Sequence, residues 1–68
     1  MYHFKVELRD EFLQGRKVKW IATNLLHITP TYLSTILKNK LGCSYGLAYR
    51  MALINNEKID KYFEKKEK

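Results

Sequence analysis

Acidic side chains are absent from Phe12 to Asn56, while Arg16, Lys17, Lys19, Lys38, Lys40 and Arg50 all fall in that interval. Cysteine is nearly absent too. Cys43 stands alone, so it has no partner for an internal disulfide; it reads as a small inter-helix residue, and a reducing, cytoplasmic setting is expected. His3 and His27 are the only histidines, and neither pairs closely with Cys43. No metal site is expected from so few ligands, and no cofactor. No carboxylate dyad, nucleophile–base pair or phosphate-binding glycine loop is present, and Gly15, Gly42 and Gly46 stand apart. The chain is therefore not expected to be an enzyme. No run approaches 18 apolar residues, so no membrane span is expected. The opening residues carry no charged region followed by an apolar one, so no secretion leader is expected either.

What remains is small and basic. The chain has 68 residues, 46% of them hydrophobic, and a net charge of +6. That length allows one domain with one small core. The last twelve residues, EKIDKYFEKKEK, hold five lysines against four acids, so they are nearly neutral. The positive excess belongs to the middle, where it favours phosphate.

Periodicity predicts an all-α, compact bundle of about five short helices. Phe4, Leu8, Phe12 and Leu13 give one face of a first helix, ended by Gly15 as a left-handed cap. The alternation Tyr2, Phe4, Val6, Leu8 also suits a short strand. A second helix spans 18–26, with Val18, Ile21 and Leu25 on one face. His27 and Ile28 turn the chain. Thr29 suits an N-cap and Pro30 the first helical position, opening a third helix to about Lys40 with Leu33, Ile36 and Leu37 inward. Gly42 follows as a terminator. Ser44 caps a fourth helix in which Leu47, Ala48, Met51 and Ile54 face inward. Asn55 and Asn56 break it, and Asn56 caps a fifth helix bearing Ile59, Tyr62 and Phe63. Residues 1–64 form the domain, and 65–68 a short charged tail.

The run WIATNLLHITPTYLSTILKNK reads as helix, turn, helix. Reading DNA requires one helix that fits the major groove and a second that crosses behind it at a small residue; Ala22 or Thr23 serves. Short polar side chains on the first turns of the groove helix reach base edges, which points to Thr31, Tyr32 and Thr35. Arg16, Lys17, Lys19, Thr29, Lys38, Asn39 and Lys40 are placed to hold the phosphate backbone.

Gly15, Ala22, Leu25, Ile28-Thr29, Leu33-Ser34, Ile36 and Asn39-Lys40 resemble the pattern of the phage Cro/repressor-like (lambda-repressor-like, XRE-type) helix-turn-helix family. The later run from Cys43-Ser44 to Ala48-Tyr49 is similar to small phage or mobile-element members of that group. HITPTYLSTILKNKLG also resembles the helix-turn-helix of AraC-type regulators, which normally carry two such units. The resemblance implies a sequence-specific, double-stranded DNA-binding transcriptional regulator with the third helix, about 30–40, in the major groove. Two departures stand out. One extra residue lies between Ala22 and Ile28, and Val18 stands where the family often has a phosphate-binding glutamine; Lys17 or Lys19 would replace that contact.

Other uses are open for several of these residues. Tyr32 either reaches DNA or packs on Trp20 or the first helix. Lys38, Asn39 and Lys40 also suit a solvated helix end. Trp20 is expected in the core rather than as a platform, and His27 exposed in the turn. Ile59, Tyr62 and Phe63 are either core or the interface of a homodimer, which two-fold DNA sites favour. A second function class is a small protein that inhibits a host nuclease or CRISPR effector by binding it.

Overall fold

Helix initiation near Phe4 has an obstacle, since no Ser, Thr, Asp or Asn precedes that residue to accept its unpaired N–H groups. In the computed structural model, which describes residues 1–65, the chain there is extended. β1 (Tyr2–Phe4) runs antiparallel to β2 (Phe63–Lys65), with Phe4 opposite Phe63 and Tyr2 opposite Lys65. On its other side Tyr2 exchanges two backbone hydrogen bonds with Cys43, at 2.9 and 2.8 Å. The all-α expectation is thus corrected: the chain is mostly helical, but a two-stranded sheet ties its ends together. Lys65, expected in the tail, closes β2. Residues 66–68 of that expected tail lie outside the described residues.

The helices follow. A 3-10 turn (Val6–Leu8) leads into α1 (Arg9–Leu13). Gln14 and Gly15 both take positive φ and reverse the chain, so the left-handed cap spreads over two residues. α2 (Val18–Ile21) continues as a π-helical segment (Ala22–Leu26). The wider turn coincides with the extra residue before Ile28: His27 N–H closes onto the Ala22 carbonyl, and Ile28 N–H reaches the same oxygen at 3.0 Å. His27 is left-handed at φ 58. α3 (Pro30–Leu37) opens as the sequence predicts, the Thr29 hydroxyl accepting from Tyr32 N–H at 3.1 Å. It stops short of Lys40, because Asn39 turns left-handed at φ 59. Gly42 is therefore not the terminator. It is buried against His3, where an added Cβ would lie 3.0 Å from the ring. α4 (Tyr45–Leu53) is capped by Ser44, as expected.

The fifth helix is one turn only, α5 (Ile59–Tyr62), and Lys58 rather than Asn56 occupies its N-cap. Phe63 leaves the helix at φ −129. Extending a one-turn helix gains little beyond local hydrogen bonds. Pairing with β1 offers Phe63 both a ladder and a ring contact, 5.4 Å from Phe4.

The core has an aromatic end. Phe12 and Tyr62 both pack on Phe4, and their own rings lie 5.4 Å apart. Ile21, Ala22, Leu26, Leu33, Ile36, Leu37, Ala48, Met51 and Ala52 fill the rest, and no polar or charged residue is buried among the described residues. Full burial of such large apolar side chains contributes roughly 1.5–3 kcal/mol each. Ala22 is fully buried while Thr23 is exposed, so Ala22 is the small residue under α3. Cys43 is buried in the same core; desolvation pushes its thiol up to about 11 and keeps it neutral. Trp20, expected in the core, is instead 49% exposed.

Candidate nucleic-acid interface

The outer face of α3 is built by a spacing of three and four. Thr31, Ser34, Thr35 and Lys38 share it, while Leu33, Ile36 and Leu37 point into the core. With Pro30, these four residues line an open cleft of about 490 Å³. Val18 and Lys19 from α2 and Arg9 from α1 line it as well. Three cations therefore share one cleft with three hydroxyl side chains.

The cations of the cleft are little neutralised. Neither Lys19 nor Lys38 has a carboxylate within ion-pair distance among the described residues. Arg9 lies 3.8 Å from Asp10, an exposed pair of little strength that leaves the guanidinium able to turn. At the start of α3, Pro30 has no N–H, Tyr32 N–H is taken by Thr29 Oγ1, and Leu33 N–H by the Thr29 carbonyl at 3.1 Å. The Thr31 N–H keeps no partner among the described residues, and Thr31 lines the cleft. The Thr35 hydroxyl donates back to the Thr31 carbonyl at 2.9 Å. It therefore presents its methyl group and oxygen lone pairs, suited to a thymine methyl or a base amino group.

Several residues expected at this surface are used elsewhere. Arg16 is half-buried; its Nε donates to the Leu13 carbonyl (2.9 Å) and its Nη2 to the Phe12 carbonyl (3.1 Å) and Asn55 Oδ1. Asn55 Nδ2 in turn donates to the Phe12 carbonyl (2.8 Å) and the Tyr62 hydroxyl (3.1 Å). Arg16 thus closes the C-terminal end of α1, where carbonyls lack helical partners, and it is not part of the cleft lining. Arg50 plays a like part, donating to the Leu26 carbonyl at 2.9 Å. Asn39 ends α3, with its Oδ1 3.0 Å from His3 Nδ1. Tyr32 packs against the core and is not part of the cleft lining. Lys17 and Lys40 are exposed outside the cleft, and Thr29 serves as the α3 cap.

The expected dimer patch is also corrected. Tyr62 and Phe63 are 1% and 3% exposed within their own protomer, and Ile59 is half-buried against the same core. An uncovered apolar stripe lies on α4, where Tyr45, Tyr49 and Leu53 recur every four residues, 49–59% exposed, with the Tyr2 ring 5.8 Å from that of Tyr45.

Sequence reasoning missed Arg9 and Ser34. Arg9 was hidden by its acidic neighbours Asp10 and Glu11, although Glu11 is taken by Lys61, whose ammonium is held above its ordinary range by that hydrogen bond. Ser34 had a signal, its i+3 position relative to Thr31. Among the described residues, no three His, Cys, Asp or Glu side chains gather where a metal ion could sit, and no helix is long and apolar enough to cross a membrane. No protein-family model, curated protein or solved structure matches this chain. Function is therefore read from the geometry of the site itself.

Proposed function

We propose that this chain is a sequence-specific, double-stranded DNA-binding regulator of the Cro/repressor-like kind, with α3 in the major groove. One observation carries the reading: the cleft in which Arg9, Lys19 and Lys38 frame Thr31, Ser34 and Thr35 on the open face of a capped helix. The hydroxyls and the Thr35 methyl read base edges. Arg9, Lys19, Lys38 and the Thr31 N–H hold phosphates at the groove's rim, and Lys17 and Lys40 add longer-range attraction. The partner is duplex DNA, taken up by a protein that needs no cofactor.

The test is binding to duplex DNA over a range of salt, preceded by selection of a site from random sequence. With three to five phosphates neutralised, log affinity should fall against log salt with a slope of roughly −3 to −5. A flat response, or no duplex binding at low salt, removes this reading. Light scattering with and without the selected duplex tests the homodimer, and an inverted repeat in that site would support it.

A second reading draws on the α4 stripe. Tyr45, Tyr49 and Leu53 have the aromatic, uncharged make-up of an interface core, which suits a protein partner such as a nuclease effector. It gains if Tyr49→Ala abolishes partner inhibition while duplex binding is absent from the start.

A further inference from the structure

Trp20 is the only tryptophan of the chain, and it is half exposed. It sits in α2, on the side away from Ile21 and Ala22, which are fully buried. With Lys17, Lys19, Thr23 and Asn24 it lines an open depression of about 290 Å³. Asn24 Nδ2 donates to the Trp20 carbonyl at 3.1 Å, which fixes one wall. The indole N–H has no hydrogen-bond partner among the described residues. An exposed indole face of this size forfeits much of the stabilisation that covering it would bring. The depression and the α3 cleft share Lys19 as a lining residue.

We propose that Trp20 packs on the sugar–phosphate backbone of the DNA strand that flanks the groove occupied by α3. This rests on the duplex-binding reading above. The chemistry of the depression matches that backbone feature by feature. The flat apolar face of the indole covers a deoxyribose. Its N–H, a donor with no acceptor capacity, meets a phosphate oxygen. Lys17 and Lys19 neutralise the phosphates on either side, and no carboxylate lies anywhere between Phe12 and Asn56 to oppose them. Continuity through Lys19 selects the backbone of a bound duplex over an isolated base, since a strand leaving the α3 cleft at Lys19 arrives at Trp20.

Because Trp20 is the single tryptophan, its emission reports this site alone. The full-length protein is titrated with the selected duplex, binding being followed independently by the anisotropy of a dye on the DNA. Acrylamide quenching of Trp20 should fall at least twofold in the complex. Trp20→Ala should weaken binding about tenfold on selected and random duplexes alike, with an unchanged thermal transition. Trp20→Phe, which keeps an apolar face and loses the N–H, should fall between the two. If Trp20→Ala does not fold, the quenching result on the unaltered protein decides. A complex formed normally by anisotropy but with Trp20 still open to acrylamide overturns the inference and leaves the duplex-binding reading standing. Wild-type affinity in folded Trp20→Ala does the same. No duplex binding at any salt overturns both, and protection of Trp20 by single-stranded DNA alone overturns the backbone assignment.

Discussion

Arg16 and Lys19 stand three residues apart in the same acid-free run, yet the fold sends them to opposite uses. Arg16 turns inward. Its guanidinium, Asn55 and the Tyr62 hydroxyl knot the end of α1 to the loop after α4. Lys19 turns outward to the cleft, where it meets Lys38 and Arg9 with little to neutralise them. The difference is geometric. A planar guanidinium with several fixed donors suits the unpaired carbonyls of a helix end, whereas an ammonium on a flexible stem stays hydrated until an anion arrives. Positive charge in a sequence is therefore not yet a binding surface. The cations to count are those the fold leaves unused.

Breaking the knot should have the largest effect. Arg16→Ala removes the guanidinium's bonds to the Leu13 and Phe12 carbonyls and leaves Asn55 Oδ1 without its donor, and loss of such charged hydrogen bonds costs about 2 kcal/mol. For a domain this size the transition midpoint should fall by roughly 10 °C. The same variant, assayed while folded, should bind duplex normally. Unchanged melting with lost binding would reverse the contrast and return Arg16 to the DNA surface.

The cleft side is sharpened next by Thr35→Val, which keeps the side-chain shape and removes the hydroxyl. It should cost about 1–3 kcal/mol at one base pair of the selected site and nothing on random duplex. Equal losses on both would mean that Thr35 does not read bases.

Thr29 belongs to neither side fully. Thr29→Ala removes the α3 cap and should cost about 1 kcal/mol in chemical denaturation. Thr29→Ser should recover it. Failure of serine to recover stability would show that the capping bond seen with Tyr32 N–H is not what makes Thr29 matter.

Smallest in stability are Lys19→Ala and Lys38→Ala, each expected within about 0.5 kcal/mol of the parent. Their signature is in the salt titration, where each should remove about 0.9 from the slope on any sequence. Lys40→Ala, outside the cleft, should remove less. If all three behave alike, the cleft has no privileged role over the general positive field.

Local chemistry made much of this legible. Thr29 and Pro30 announce the start of α3, and Ser44 that of α4, because a cap needs only a hydroxyl and an N–H a few residues apart. Helical spacing gave the outer face as Thr31, Tyr32, Thr35, Lys38 and Asn39, of which Thr31, Thr35 and Lys38 line the cleft. Tertiary structure decided the rest. Phe4 and Phe63 pair across almost the whole chain, which made Tyr2–Phe4 the short strand its alternation also allowed and drew Phe63 out of the expected fifth helix. Asn55 reached back to Arg16 and removed a cation from the surface. Arg9 joined Lys19 and Lys38 although its own neighbours are acids, and Trp20 stayed outside because Ile21 and Ala22 had filled the face of α2 that meets the core. In each case the deciding partner lies on another element, at a sequence distance where neither periodicity nor capping rules carry information. Sequence by itself determined the caps at Thr29 and Ser44, the amphipathic faces of α3 and α4 and the acid-free charge. Only packing could determine which cations were captured, which aromatics were covered and which side chains met around the cleft.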